Sequence, residues 1–161
     1  MKYKFNFYTE YNQFYLEDAS EKTEIDPSEF WNEGAFFSNL ALDRGVVGIG
    51  THCYGDVRGE IEILDKPRVN INYNLYDHIV EGNIYVASGD LQILNCPENH
   101  LELSLKLDPG NYRVRVYGAN FASVQETDLA HDTDNDYYRI EMWKSTEIGT
   151  KVLKKYNDVS D

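Results

Sequence analysis

The sequence predicts a mostly β protein, an antiparallel two-sheet β-sandwich with one α-helix. Three observations carry the prediction. Short runs with alternating apolar and polar residues recur along the chain, each bounded by turn residues. The 13 Tyr and 7 Phe suit a pleated, half-buried surface. A helix start signal with a following apolar face is found in one stretch, at Asp26-Pro27. Hydrophobic residues are 42% of a 161-residue chain, enough for one core. No repeat or linker interrupts it, so one sandwich domain is expected over 1–161, with 156–161 frayed.

In order, the aromatic-rich opening predicts strands Tyr3 to Thr9 and Gln13 to Glu17, with a turn near Glu10–Asn12. Asp26 is a ready N-cap, Pro27 suits the first helical position, and Glu29 completes the signal. A helix is therefore expected from Pro27 to about Asn39, with Trp31, Ala35 and Ser38 on one face. A strand edge, a turn at Asp43-Arg44-Gly45 and a buried strand from Val46 to Thr51 follow. Val57, Gly59, Ile61 and Ile63 alternate with Arg58, Glu60 and Glu62, the pattern of a half-exposed strand.

Two hairpins are expected beyond this point. Ser88-Gly89-Asp90 separates two apolar runs. Asp108-Pro109-Gly110-Asn111 separates Leu101, Leu103, Leu105 and Leu107 from Tyr112, Val114 and Val116, with Pro109 fixing φ and Gly110 free to take a positive φ. The runs "YYRIEMW" and "KVLKKY" supply the last strands.

Charge restricts the function. The net charge is −13, which disfavours direct nucleic-acid binding and anionic membrane surfaces, because both demand Lys and Arg. The start of the sequence has no apolar segment of a signal peptide, and no run of about 18 apolar residues offers a membrane span. Cys53 and Cys96 form no CxxC pair. A cytoplasmic protein with reduced thiols and no cofactor is the reading that follows.

The stretch "HDTDNDYYRIEMW" raises the question of a metal. Asp132, Asp134 and Asp136 have the first spacing of an EF-hand loop, but Tyr137 stands where Gly is required and Trp143 where the bidentate Glu is required. No metal site is assigned. A polar loop offers no contrast of environments for paired acid and base carboxylates, so no catalytic residue is assigned either. His52, His78, His100 and His131 show no zinc-ligand spacing with the two Cys, and strand alternation sends His52 and Cys53 to opposite faces. The glycines of "GVVGIGTHCYG" lack both the dinucleotide fingerprint and a P-loop lysine. Arg113 and Arg115 share a strand face, where they either grip a carboxylate partner or pair internally, with Glu102 or Glu141 the expected acids.

Two segments hold most of the charge. Glu17 to Glu33 has seven acids and one Lys, and Glu126 to Asp136 has five acids and no base. Such segments focus potential and steer a basic partner. The expected partner-binding residues are Glu126, Asp128, Asp132, Asp134 and Asp136, in a loop where no structural need for so many carboxylates is visible.

From Phe5 to Trp143 the order of features, with "YNQFYL", "FWNEGA", "DRGVVGIGT", "IVEGNIYVASGDLQIL" and "LSLKLDPGNYRVRVY", resembles the competence protein J group. That resemblance implies a β-sandwich without catalysis that inhibits a DNA-entry nuclease by forming a complex with it. Together the readings predict an acidic, protein-binding inhibitor or immunity-type protein that neutralises a basic partner, a nuclease or toxin. The second reading is a calcium- or carbohydrate-binding sandwich module.

Overall fold

Every strand expected from the sequence forms, but several pair with partners other than the ones expected. The computed structural model describes residues 1–21 and 26–157. Its strands are β1 Lys2–Thr9, β2 Gln13–Asp18, β3 Leu40–Asp43, β4 Val46–Gly50, β5 Gly55–Ile63, β6 His78–Val86, β7 Asp90–Leu94, β8 Leu101–Lys106, β9 Gly110–Ala119, β10 Tyr137–Lys144 and β11 Lys151–Lys154. One sheet runs β1-β5-β10-β9-β6-β11, and the other β3-β4-β2-β7-β8. The first sheet is mixed, because β10 runs parallel to β5. The two sheets pack as a sandwich. No helix among the described residues is long and apolar enough to cross a membrane.

The turn residues at Ser88–Asp90 and Asp108–Asn111 do turn the chain, and Gly110 has a φ of +153°. Neither closes a hairpin. Each carries the chain from one sheet to the other, so β6 pairs with β9 and β7 with β8. The two crossings lie side by side, where Leu107 N donates to Gly89 O at 2.7 Å. Alternation decides which side chains face inward but leaves the neighbouring strand open. The turn at Asp43–Gly45 does close the antiparallel pair β3–β4.

The single helix expected over Pro27 to Asn39 forms as two short ones, α1 Pro27–Phe30 and α2 Glu33–Ser38. Asp26 caps α1 as expected, accepting from Ser28 N at 2.9 Å. The break follows from Asn32, whose side chain accepts from Ala35 N at 2.9 Å and starts a second helix. Asn favours that capping geometry over a helix interior. Phe30 and Trp31 lie over Gly48 of β4, where a Cβ would meet their rings at 2.8 and 2.7 Å.

The core lies between the sheets. Phe5, Phe7 and Phe14 pack with ring centroids 5.5–5.8 Å apart, beside Leu16, Val57, Ile61, Ile84, Val114, Ile140 and Met142. Burying each aliphatic side chain contributes about 1.5–3 kcal/mol. Tyr156, placed in the frayed tail by the sequence, stands against His52 and Phe121 at 5.2 and 5.1 Å, because those rings leave an apolar surface to cover. Residues 158–161 lie outside the described residues.

The outer face of the six-stranded sheet carries a charge network. Glu81 accepts from Arg113 at 3.1 Å and from Arg115 at 2.8 Å. Glu141, with no exposed surface, accepts from Tyr117 at 2.5 Å, Arg139 at 2.8 Å and Arg68 at 2.8 Å. Removing one member of such a set leaves a buried charge without its counterpart. Glu141→Ala is expected to destabilise by about 3 kcal/mol or more, whereas Glu102→Ala, at an exposed site, stays within about 0.5 kcal/mol. Urea unfolding checks both, and equal midpoints would refute the contrast.

A pH dependence follows from the same face. Burial alone would raise the carboxyls of Glu60 and Glu62. Hydrogen bonds from Lys2 and Arg139 to Glu60, and from Arg139 and Arg68 to Glu62, outweigh it and hold both below the ordinary range. A carboxyl depressed by folding contributes stability above its unfolded value of about 4.3 and loses it as pH falls through the folded value. Stability is therefore expected to drop between pH 5 and about pH 3. The Glu60→Gln/Glu62→Gln variant should show a smaller drop in the urea midpoint over that range.

Candidate functional site

Four connections meet at one end of the sandwich: 10–12, 51–54, 95–100 and 120–136. Asn12 ties three of them together, since its side-chain amide donates to Cys53 O at 3.0 Å and Thr127 O at 2.6 Å, and Thr51 N donates to its carbonyl at 2.9 Å. Glu10 N reaches the fourth through Cys96 O at 2.9 Å. Loops joined in this way present fixed side chains on a sheet scaffold.

The expected partner-binding carboxylates divide between surface and interior. Glu126, Asp128 and Asp132 are exposed. Asp134 is half-buried, and its Oδ2 accepts from His131 N at 3.0 Å, which shapes the loop. Asp136 is only 3% exposed. Its Oδ2 accepts from Tyr138 Oη at 2.6 Å and Cys53 N at 3.1 Å, and Tyr138 Oη accepts in turn from His52 N at 2.6 Å. The expectation that the loop has no structural need for its carboxylates is thus corrected at Asp136, which pins the 51–54 loop to β10. The signal lay in the sequence. Alternation through Tyr138, Ile140 and Met142, carried one step back, places Asp136 on the inward face.

Residues the sequence reading missed complete the exposed rim. Tyr11 occupies the left-handed region at φ 60° and is 61% exposed at the tip of its turn. Asn12 beside it has a φ of 56°, and the two left-handed residues make the tight turn between β1 and β2 that holds the Tyr11 ring outward. Tyr8 is 51% exposed, and its hydroxyl donates to Glu10 Oε1 at 3.1 Å. That hydrogen bond to Glu10 raises the Tyr8 phenol, with slight burial and the charges of Glu10, Tyr54 and Asp56 acting in the same direction. Burial first, then the Glu10 charge, raises Tyr54. Tyr8 stands opposite Asp56 across β1 and β5 and holds Glu10, and Tyr11 and Tyr54 sit on the adjoining 10–12 and 51–54 loops, so phenols and carboxylates are grouped at this end. The one visible hint was a Tyr inside a polar turn.

The other candidates are internal. His52 stacks on Phe121 at 4.7 Å while Cys53 is buried, so the two do not cooperate. Burial, then the Asp136 charge, pushes the Cys53 thiol well up, which removes its thiolate. Among the described residues no three His, Cys, Asp or Glu side chains are grouped to hold a metal ion. Arg113 and Arg115 are paired within the fold, with Glu141 as expected but with Glu81 in place of Glu102, which lies on the other sheet. In the first acidic segment Asp18 is internal too, accepting from Ser88 N at 3.0 Å and Ser88 Oγ at 2.6 Å. Glu29 and Glu33 are exposed, and Glu24 lies outside the described residues.

No family model and no curated protein matches the sequence. Solved structures do match the fold. The chain is similar to ComJ of Bacillus subtilis, described as an inhibitor of the DNA-degrading activity of NucA, with a TM-score of 0.67 and 15% identity, covering 90% of this chain and 98% of ComJ. It is also similar to the crocagin biosynthetic gene J product, with a TM-score of 0.54 and 14% identity, covering 89% of this chain and 98% of that one. The expected likeness to the competence protein J group is thus present in the fold.

The loop anchor is testable. Asp136→Ala strips two donors of their acceptor and is expected to destabilise by roughly 1–3 kcal/mol. Asp132→Asn should change stability by less than about 0.5 kcal/mol. Thermal unfolding of both variants is the measurement, and an unchanged Asp136→Ala midpoint would remove its structural role.

Proposed function

We propose that the protein is a non-catalytic inhibitor, working in the cytoplasm, that binds a basic DNA-degrading nuclease through the loop end of its sandwich. The observation that carries this reading is the meeting of the exposed Tyr8 and Tyr11, the half-buried Tyr54 and several carboxylates at the end of β1 and on the cross-tied loops. Tyr8, Tyr11 and Tyr54 offer rigid amphipathic contact area, and Tyr is enriched among residues that dominate interface energies. Glu10, Asp56, Glu126, Asp128 and Asp132 surround them with negative charge. Asp134, half-buried, shapes the same loop by accepting from His131 N, while Asp136 serves as its anchor. The fold it shares with ComJ supports the nuclease as the class of partner, since that protein is an inhibitor of a nuclease.

Exposed charges act chiefly on the association rate and its salt dependence, and buried aromatic contacts on the lifetime of the complex. The partner is to be isolated from the native host on immobilised protein, purified, and tested in a plasmid-degradation assay. The wild-type chain should block degradation at near-equimolar amounts. Glu126→Gln/Asp128→Asn/Asp132→Asn should slow association at low salt and flatten its ionic-strength dependence. Tyr11→Ala should speed dissociation and leave the association rate nearly unchanged. A partner without nuclease activity, or degradation unaffected by the wild-type chain, overturns the nuclease reading. A triple variant that associates at the wild-type rate at low salt overturns the assignment of the surface.

A further inference from the structure

A cleft of about 690 Å³ opens on the outer face of the five-stranded sheet, between β2, the two short helices and the 95–100 loop. Its wall is aromatic. Tyr15, Phe30, Trp31 and Phe36 follow one another with centroids 6.2, 5.9 and 5.6 Å apart, and Trp31 Nε1 donates to Tyr15 Oη at 3.4 Å. Phe36 is 66% exposed. Beside this wall the outward side of β2 places Gln13 and Glu17 in the same cleft.

Glu17 is half-buried, and among the described residues no Lys, Arg or His pairs with it. Its charged neighbours Glu21 and Asp18 repel it, and burial chiefly, then those charges, raises its carboxyl. The contrast with Trp143 is informative. That ring has Arg115 over it at 4.9 Å, beside the Glu81 carboxylate that holds Arg115. The cleft repeats the aromatic surface and the carboxylate, but among the described residues no cation stands over its rings.

We infer that this cleft is the seat of an arginine side chain of the partner, its guanidinium laid against Tyr15 and Trp31 and paired with Glu17. A guanidinium suits the place because it is planar, stacks on aromatic rings and offers a fork of donors to a carboxylate. The occupant belongs to the same partner because the cleft continues to the loop end. A smaller hollow of about 190 Å³ shares Gln13, Trp31 and Phe36 with it and adds Tyr11 and Asn12. One protein could therefore cover the exposed loops and insert a basic side chain along β2. This inference rests on the proposed inhibitor function for the identity of the partner, but the chemistry of the cleft is testable without the partner.

The probe is the tripeptide acetyl-Gly-Arg-Gly-amide. Its neutral control is the same peptide with citrulline, which keeps the shape and removes the charge, and choline represents a free small cation. Binding is followed by the indole N–H signals in a nitrogen–proton correlation spectrum. The Trp31 signal should shift saturably with the arginine peptide, while the Trp143 signal, on the opposite sheet, stays still. Affinity should fall at least about tenfold with citrulline, and equally in Glu17→Gln. Glu126→Gln/Asp128→Asn/Asp132→Asn should bind the tripeptide as the wild type does, so a failure at the loop end and a failure at the cleft give different results. The inference is overturned if the Trp31 signal does not move, if citrulline or Glu17→Gln binds equally well, or if the triple variant loses the peptide. Tighter binding of choline than of the arginine peptide also overturns it, in favour of a free organic cation.

Discussion

Glu141 is a carboxylate without contact with water, and the six-stranded sheet is organised around its neutralisation. The register of β10 sets it opposite Glu62 on β5 and opposite Arg115 on β9. Two carboxylates directly across a sheet repel. Arg139 and Arg68 each bridge the pair, Arg139 at 2.5 and 2.8 Å and Arg68 at 3.0 and 2.8 Å from Glu62 and Glu141. Arg68 comes from the connection between β5 and β6, so one ion cluster holds a loop onto the sheet as well as strands to each other. Arg115 continues the chain of charge to Glu81 on β6. A slip of one residue in any of these strands would turn Arg and Glu into the core and Ile and Val outward, so the network permits a single register.

The fixed register reaches the loop end of the sandwich directly. β10 begins beside Asp136, whose carboxylate receives the Tyr138 hydroxyl and the Cys53 amide. The loop before β10 and the loop before β5 are therefore held by the strand whose position Glu141 and its arginines set. Asn12 adds the first turn to the same assembly. Loops ordered in advance lose less freedom on binding, which leaves more of the contact energy for affinity. One acid of the loop, Asp136, is taken up by this anchor, and Glu126, Asp128 and Asp132 remain exposed.

Much of this could be read from the residues, and the parts that could not have definite causes. Alternation at Val57–Ile63 and Tyr112–Val116 identifies strands and their inward faces, because a sheet buries one face at a time. It says nothing about which strands are neighbours, so Pro109-Gly110 looks like a hairpin turn while it is a crossing between sheets. The helix at Pro27 is legible from its caps, but Asn32 is a second cap in its middle, and a continuous apolar face masks it. Arg113 and Arg115 are readable as an ion-paired face. Their main partner Glu81 is not, because the pairing of β6 with β9 spans a long stretch of sequence. Tyr8, Tyr11 and Tyr54 were hidden for the same reason. Each is an ordinary aromatic in sequence, and only the approach of the 10–12 and 51–54 loops to the end of β1 makes them one surface.

The arrangement separates two tasks that net charge alone would merge. A charge of −13 attracts any basic protein, and attraction without shape gives fast, short-lived and unselective encounters. Selectivity has to come from groups that are costly to leave unmatched. Under the function we propose, the exposed phenols of Tyr8 and Tyr11 would receive a surface of complementary shape, and the half-buried Glu17, which lines the same cleft as Trp31, would receive a cation only at a set distance from the loop end. A basic protein lacking that side chain would meet the same field but leave Glu17 without a counter-charge, a penalty that discriminates against it. On this view the carboxylates of the loop govern how often partners arrive, and the aromatic cleft governs which of them stay.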